Sequence, residues 1–333
     1  MTTKTSTLIT LVLIGIAAQF STNAQPKMPE PANVKLADIH WRDVCVYPDP
    51  VTKTYYMVGP GWRGVRLYTS KDLLNWYGPK LIYNAPKDVW GDIPITSIWA
   101  PELHDYKGKY YLFLTFDTQN KFQEQWRGWY PRVTRGSQIL VSDSVAGSFK
   151  TFQNHSTLPV DMMTLDGTLW AEDGVPYMVF CHEWVQITNG AICYVKLKDD
   201  LSATDGEPVT LFHASEASWS KSGEKLGNNV TDGPYLYKGK TGKLYMIWTS
   251  GGKKEEGMAT GIAISESGKI AGPWVQQDEP VFKANGGHAM LFKTFEGKLM
   301  MILHSPYNGD TRPHIFEMED TGNTLRVTKE FKE

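Results

Sequence analysis

Residues 164–180 read TLDGTLWAEDGVPYMVF: a carboxylate (Asp166), a short apolar strand, a tight turn at Glu172, Asp173 and Gly174, and a second apolar strand. This is one β-hairpin with an acidic residue at its entrance. The template recurs four more times along the chain. Asp43 leads VCVYPDPVTKTYYMVG, Glu102 leads LHDYKGKYYLFLTF, Asp232 leads GPYLYKGKTGKLYMIW and His288 leads AMLFKTFEGKLMMILH. With Tyr56, Tyr111, Tyr177, Tyr245 and Met300 as equivalent points, the steps are 55, 66, 68 and 55 residues. A hairpin of this length cannot bury its own apolar face, so the units must stack on one another, and the period leaves room for two further strands in each.

Those outer strands are visible as GVRLYTSKDLLNWYG, SQILVSDSVAGSFKTF, AICYVKLKDDLSATDGEPVTLF, GIAISESGKIAGPWVQ and RPHIFEMED. Four antiparallel strands repeated five times predict an all-β chain folded as a five-bladed β-propeller. In such a ring the innermost strand of every blade starts near the axis. Asp43, Glu102, Asp166, Asp232 and His288, far apart in sequence, are therefore expected to converge on one end of a central cavity.

Residues 1–24 carry a weakly positive start at Lys4, an apolar stretch over residues 8–18 and small residues at Thr22, Asn23 and Ala24, the pattern of a cleaved signal peptide. The apolar stretch is too short for a stable membrane anchor. A secreted or periplasmic protein is expected, with residues 25–333 forming one catalytic-size domain, since no linker or charge run marks a second and a propeller grows by adding blades to one unit. The net charge of -2 excludes the concentrated basic face that nucleic-acid binding needs. Three cysteines show no paired zinc-ligand spacing. Cys181 and Cys193 flank a loop between two strands, so a bridge there is open, but three buried free thiols are the expectation. Most of the 12 Trp and 16 Tyr read as blade packing, and a minority as platforms for sugar rings.

Carboxylates gathered without enough cations drive their pKa values apart, leaving one ionised and another protonated near neutrality. That suits cleavage of a glycosidic bond, which needs a base to activate water and an acid to protonate the leaving oxygen. Four stretches carry a family resemblance: Arg42-Asp43 ahead of YYMVG, Trp99-Ala100-Pro101-Glu102 ahead of KGKYYLF, Leu165-Asp166-Gly167 ahead of DGVPYMVF, and Thr231-Asp232-Gly233-Pro234 ahead of LYMIW. In order and spacing, over essentially the whole chain after the leader, they resemble glycoside hydrolase family 43, five-bladed propellers that cleave arabinosyl, xylosyl and some galactosyl linkages with inversion.

The resemblance implies that Asp43 is the general base, that Asp166 tunes and orients the acid, and that Asp232 occupies the place of the acid. There the chain departs from the family, which usually has Glu before Gly-Pro; Glu183 in CHEW is the alternative acid. It further implies a structural calcium ion near His288, no required cofactor, and an active-site arginine at Arg312. Trp41 and Trp99 beside the motifs, Glu102 on the axis, and His182, Glu183 and Trp184 at the end of the third hairpin are the expected substrate contacts. The insert over residues 117–135, with Trp126 and Trp129, is expected to wall off one side of the cleft. Together these give an exo-acting, inverting glycosidase, a monomer, releasing a terminal α-L-arabinofuranosyl, β-D-xylosyl or β-D-galactofuranosyl unit from plant-type polysaccharide side chains. The alternative is a propeller that binds glycan without cleaving it.

Overall fold

Residues 29–223, 226–253 and 255–332 are described by a computed structural model of the chain, and the expected leader over residues 1–24 lies outside them. The five hairpins become the inner pairs of five antiparallel sheets. Blade I runs Cys45–Asp49, Thr54–Gly61, Gly64–Ser70 and Asn75–Asn84 from the axis outward, and blade II runs Ile95–Tyr106, Lys109–Thr118, Gly136–Ser142 and Lys150–Thr151. Blade III comprises Thr164–Glu172, Val175–His182, Ala191–Lys196 and Val209–His213; blade IV comprises Asp232–Lys238, Leu244–Gly251, Met258–Ser265 and Trp274–Gln276. Blade V is Gly287–Lys293, Leu299–Ser305, Arg312–Asp320 and Leu325–Glu330. A further strand, Ala32–Lys35, joins the outer edge of blade I opposite Asn75–Asn84. The predicted five-bladed propeller is the observed fold.

The second strand of each blade explains why the sequence shows apolar runs there rather than alternation. Side chains along a strand point to opposite faces in turn, and in a propeller both faces of a blade are covered by neighbours. In Lys109–Thr118, Leu112, Leu114 and Phe116 pack towards blade I while Tyr111 and Phe113 pack towards blade III. In Leu244–Gly251, Met246 and Trp248 face blade III, and Tyr245 and Ile247 face blade V. The same alternation sends Cys181 into the blade III–IV core and Cys193 into the blade II–III core. All three cysteines are buried and free; opposite faces of one sheet keep Cys181 and Cys193 apart.

The blades align more tightly than their sequences do. Tyr56, Tyr111, Tyr177, Tyr245 and Met300 pair with Tyr47, His104, Trp170, Tyr237 and Phe292 of the inner strands. Four residues before each of these partners the backbone turns left-handed, at Asp43, Ala100, Asp166, Gly233 and His288, with φ between 42° and 58°. In blades II to V the inner pairing also slips at this point. A left-handed residue at a bulge re-aims the chain, and for a residue with a side chain it costs roughly 1–2 kcal/mol. Five such turns around one axis mark the end of the ring where the chain tolerates strain, a frequent sign of a functional site.

This register corrects two of the axial equivalences. The counterpart of Asp43 in blade II is Ala100, so Glu102 sits two residues deeper along the strand, level with Cys45, Thr168, Tyr235 and Met290. In blade IV the counterpart is Gly233, which leaves Asp232 one residue earlier.

The interblade cores hold the ring, so deleting a large side chain there destabilises it whereas trimming the rim does not. Trp248, fully buried against Phe212 and Trp219, is expected to cost about 3–5 kcal/mol on Trp248→Ala. Val51→Ala, at a residue 87% exposed, should stay within about 0.5 kcal/mol. Chemical denaturation of the two variants checks the contrast; equal losses would contradict it.

Candidate active site

Three of the five left-handed turns are pinned by the second strand of the preceding blade. Asp166 N–H donates to Thr115 Oγ1 at 3.0 Å and His288 N–H to Thr249 Oγ1 at 3.1 Å. Asp43 N–H donates to His304 Nδ1 at 3.2 Å, across the junction of blades V and I. In blade IV the corresponding partner position holds Cys181, a poor acceptor, and Gly233 N–H donates instead to Asp166 Oδ2 at 3.1 Å. The backbone itself thus presents Asp43, Asp166 and His288 to one point, with Asp232 beside them.

His288 Nδ1 is that point. It lies 2.7 Å from Asp232 Oδ1, 3.7 Å from Asp166 Oδ2 and 3.8 Å from Asp43 Oδ1. Burial alone would drive the proton off the ring, but Asp166, Asp43 and Asp232 outweigh it and push the pKa up to about 10. The carboxylates respond unequally. Burial raises Asp166 well above the ordinary carboxylate range; His288 pulls it back, and the charges of Asp232 and Asp43 add to the rise. Asp232 is also pushed up by burial, yet its bonds to His288 and to the Tyr307 hydroxyl outweigh that and hold it below the ordinary range. The expected divergence of carboxylate pKa values is present, with Asp166 above and Asp232 below.

Asp43 is held on one side only. Arg42 Nε donates to its Oδ2 at 2.9 Å, and the guanidinium lies 5.1 Å above the Tyr307 ring. Its buried Oδ1 has no hydrogen-bond donor among the described residues. His304, 3.3 Å from that oxygen, accepts the Asp43 N–H through the same Nδ1, and burial lowers its pKa to about 4, so it is neutral and offers no proton there.

Arg42, Asp43, Asp166, Asp232, His288 and Tyr307 line a cavity of about 150 Å³, with Trp99, Leu165, Glu183, Trp184, Val230 and Thr231 completing the walls. Glu183 follows the strand Val175–His182 and stands at the N-terminal cap position of the one-turn helix Trp184–Ile187, its side chain making no capping bond. Arg135 Nη1 reaches both of its carboxylate oxygens at 2.6 Å, while Nε holds Asp117 Oδ1 at 2.8 Å. One buried guanidinium serves two buried carboxylates. Burial, with Asp117 nearby, raises the Glu183 pKa in spite of Arg135.

Beyond Glu183 lies a second cavity of about 300 Å³, lined by Trp99, Tyr130, Val133, Arg135, Glu183 and Trp184 among others. The insert builds its outer wall. Lys121 bridges Val133, Thr134 N–H bonds Asn120 O at 2.7 Å, and Trp129 Nε1 donates to Val185 O at 2.8 Å, tying the ribbon to the short helix.

Of the residues anticipated from sequence, Asp43, Asp166, Asp232, Glu183, Trp99, Trp184 and His288 therefore meet at one place. Four do not. Glu102 is a layer deeper, bonded to His104 Nε2 at 2.8 Å. Trp41 packs edge-on against Tyr68 and so closely over Gly59 that a Cβ there would fall 2.6 Å from the indole. His182 is spent on Gln186 Oε1 at 2.8 Å. Arg312 bonds Ala37 O and Asp310 and lines a separate groove with Leu36, Pro313 and Phe331; Arg42 stands where it was expected. Arg42 was legible as the neighbour of Asp43. Arg135, Tyr307 and His304 carried no local signal, since each reaches the site through a loop or a second strand.

The nearest ligand atoms of Asp166, Asp232 and His288 lie within 4.8 Å of one another. Calcium takes 6–8 oxygen ligands, whereas this set offers two carboxylates and a ring nitrogen already bonded to Asp232. The residues do not form a calcium cage, and the imidazolium already supplies the positive charge there.

A family model for Glycosyl hydrolases family 43 matches residues 45–326. The solved endo-arabinase from Bacteroides thetaiotaomicron VPI-5482 is 37% identical and superposes with a TM-score of 0.76, over 86% of this chain and 96% of its own. An α-L-arabinofuranosidase from Lactobacillus brevis shares the fold at 17% identity, with a TM-score of 0.69 over 90% and 98% of the two chains. Among curated proteins, a beta-xylosidase of Bacillus subtilis (strain 168) is 23% identical over 69% of this chain and 41% of its own length. Alpha-L-arabinofuranosidase B of Pyricularia oryzae (strain 70-15) is 21% identical over 82% and 56%. The chain spans about half the length of the curated relatives it matches. The chain belongs to glycosyl hydrolases family 43, the glycoside hydrolases its sequence resembles and whose chemistry needs no cofactor.

Proposed function

We propose that the protein hydrolyses α-L-arabinofuranosyl linkages of a plant-type polysaccharide, one terminal unit at a time and with inversion at the anomeric carbon. The observation that carries this reading is the half-anchored Asp43 in the small acidic cavity. Arg42 fixes Oδ2, while Oδ1 is a buried acceptor with no donor among the described residues. Such an oxygen suits a water molecule, which it would orient and deprotonate as the water attacks the sugar. Asp166, raised in pKa beside it, acts as the modulating carboxylate. His288 keeps three carboxylates at close quarters by supplying a proton that does not leave near neutrality. A carboxylic acid on the leaving-group side, Asp232 or Glu183, completes the pair that glycoside hydrolysis requires. Release of end units is supported by the insert, which closes one side of the cleft, and export by the leader over residues 1–24. No helix among the described residues is long and apolar enough to cross a membrane.

Internal cleavage is a second reading, favoured by the 37% identity to a protein named as an endo-arabinase. Incubation with linear arabinan, branched arabinan, arabinoxylan and galactofuranan fragments separates the possibilities. We expect arabinose as the sole early product and a drop of about 10²–10⁴-fold in kcat for Asp43→Asn. Early arabino-oligosaccharides would establish internal cleavage; retained binding without turnover of any substrate would leave a glycan-binding propeller.

The charge on His288 also makes stability depend on pH. Its folded pKa of about 10 lies above its ordinary 6.5. The stabilisation is therefore complete below about pH 6.5 and is lost as pH rises through about 10. Thermal unfolding between about pH 7 and 10 should show wild-type Tm falling more steeply than that of His288→Gln; parallel curves would mean a neutral ring in the folded protein.

A further inference from the structure

We propose that Glu183, not Asp232, protonates the leaving oxygen, and that the aromatic cavity behind it receives the leaving sugar. The inference rests on the hydrolase reading above and deepens it. A general acid must stand where the scissile oxygen lies, between the sugar that is released and the one left behind. Among the described residues Glu183 is the carboxylate that lines both cavities, the acidic one with Asp43 and the aromatic one with Tyr130 and Val133. Trp99 and Trp184 are the other residues shared by the two. They form the neck through which a glycan would pass, and Tyr130 meets Trp184 edge-on at 5.4 Å to widen the apolar surface beyond it.

Asp232 is badly placed for the same task. Its Oδ1 is bonded to His288 and its Oδ2 to Tyr307. With His288 Nδ1 2.7 Å from Asp232 Oδ1 and 3.8 Å from Asp43 Oδ1, these oxygens are separated by no more than the sum, about 6.5 Å, the lower edge of the roughly 6.5–9.5 Å that an inverting pair needs to admit water. The missing methylene relative to Glu draws this carboxylate back onto the imidazolium, where it serves as a fixed negative partner.

Glu183 is also held at both oxygens, but by one nitrogen of a guanidinium shared with Asp117 rather than by two separate donors. Arg135 neutralises one of the two buried carboxylates it touches, so a proton on Glu183 leaves the set with Asp117 uncharged overall. In the reaction the bond from the anomeric carbon to the glycosidic oxygen breaks as the Glu183 proton moves to that oxygen. The water oxygen bonds to the carbon from the opposite face, and its proton passes to Asp43. Glu183 ends as a carboxylate already forked onto Arg135, and exchange with solvent restores both groups.

The test compares Glu183→Gln, Asp232→Asn and wild type on arabino-oligosaccharide, which has a poor leaving group, and on 2,4-dinitrophenyl α-L-arabinofuranoside, which needs no proton. We expect Glu183→Gln to lose about 10²–10⁴-fold in kcat on the oligosaccharide, far less on the dinitrophenyl substrate, and the alkaline limb of the pH profile. Asp232→Asn should lose comparably on both. Equal losses for Glu183→Gln, or leaving-group dependence appearing in Asp232→Asn instead, would overturn the assignment; a wild type inactive on both substrates would overturn the hydrolase reading itself. Tyr130→Ala, at a residue 55% exposed and so safe for folding, should raise KM for the oligosaccharide several-fold while leaving inhibition by free arabinose unchanged. An unchanged KM would contradict the leaving-sugar cavity.

Discussion

A buried imidazolium among three aspartates is the interaction on which the axial end of this propeller depends. Three carboxylates within 4 Å of one ring nitrogen would repel one another in a medium that screens charge poorly. The His288 proton converts that repulsion into attraction, and Arg42 supplies the second positive charge beside Asp43. With Asp166 driven towards its neutral form, the charges balance. The strained left-handed turns at Asp43, Asp166 and His288 are tolerated because hydroxyl and ring acceptors of the preceding blade lock each one. Conformational strain and electrostatics are thus settled at the same three residues.

The two charge clusters flanking the cavity are built differently. Around His288, cations and carboxylates come near to matching, and Asp232 is fixed in its ionised form by two strong donors. Around Arg135, a single guanidinium is divided between Asp117 and Glu183, so the set has a place for one more proton. A hydrolase needs one group that gathers a proton and one that gives it up. The unequal supply of cations on the two sides of one cavity is a direct way for a fold to provide both.

Much of this was legible in the sequence because a propeller repeats its rules. Apolar runs bounded by turns gave the inner hairpins, and the order of Asp43, Asp166, Asp232 and His288 gave the axis. The register of Glu102 was not legible: an acidic residue two places into a strand looks like one at its entrance until the left-handed turn at Ala100 is seen. Arg312 failed for a related reason, since an arginine at the start of a strand far from the axis has the same local sequence as one facing the site. Arg135, Tyr307 and His304 were invisible because their contacts cross between blades, and no local pattern encodes a neighbour 48, 75 or 261 residues away. Asp232 was visible as a departure, but its consequence depended on where Tyr307 and His288 lie.

The central claim, that the ring of His288 carries its proton through the neutral range, can be read directly by a titration of the histidine ring nitrogens by ¹⁵N NMR. The His288 signals would be identified by their disappearance in His288→Gln. Both ring nitrogens should be protonated at neutral pH, with a transition at about pH 10. A His288 signal that titrates at or below the ordinary value of about 6.5 would contradict it, because the three aspartates would then be held together by something other than this charge.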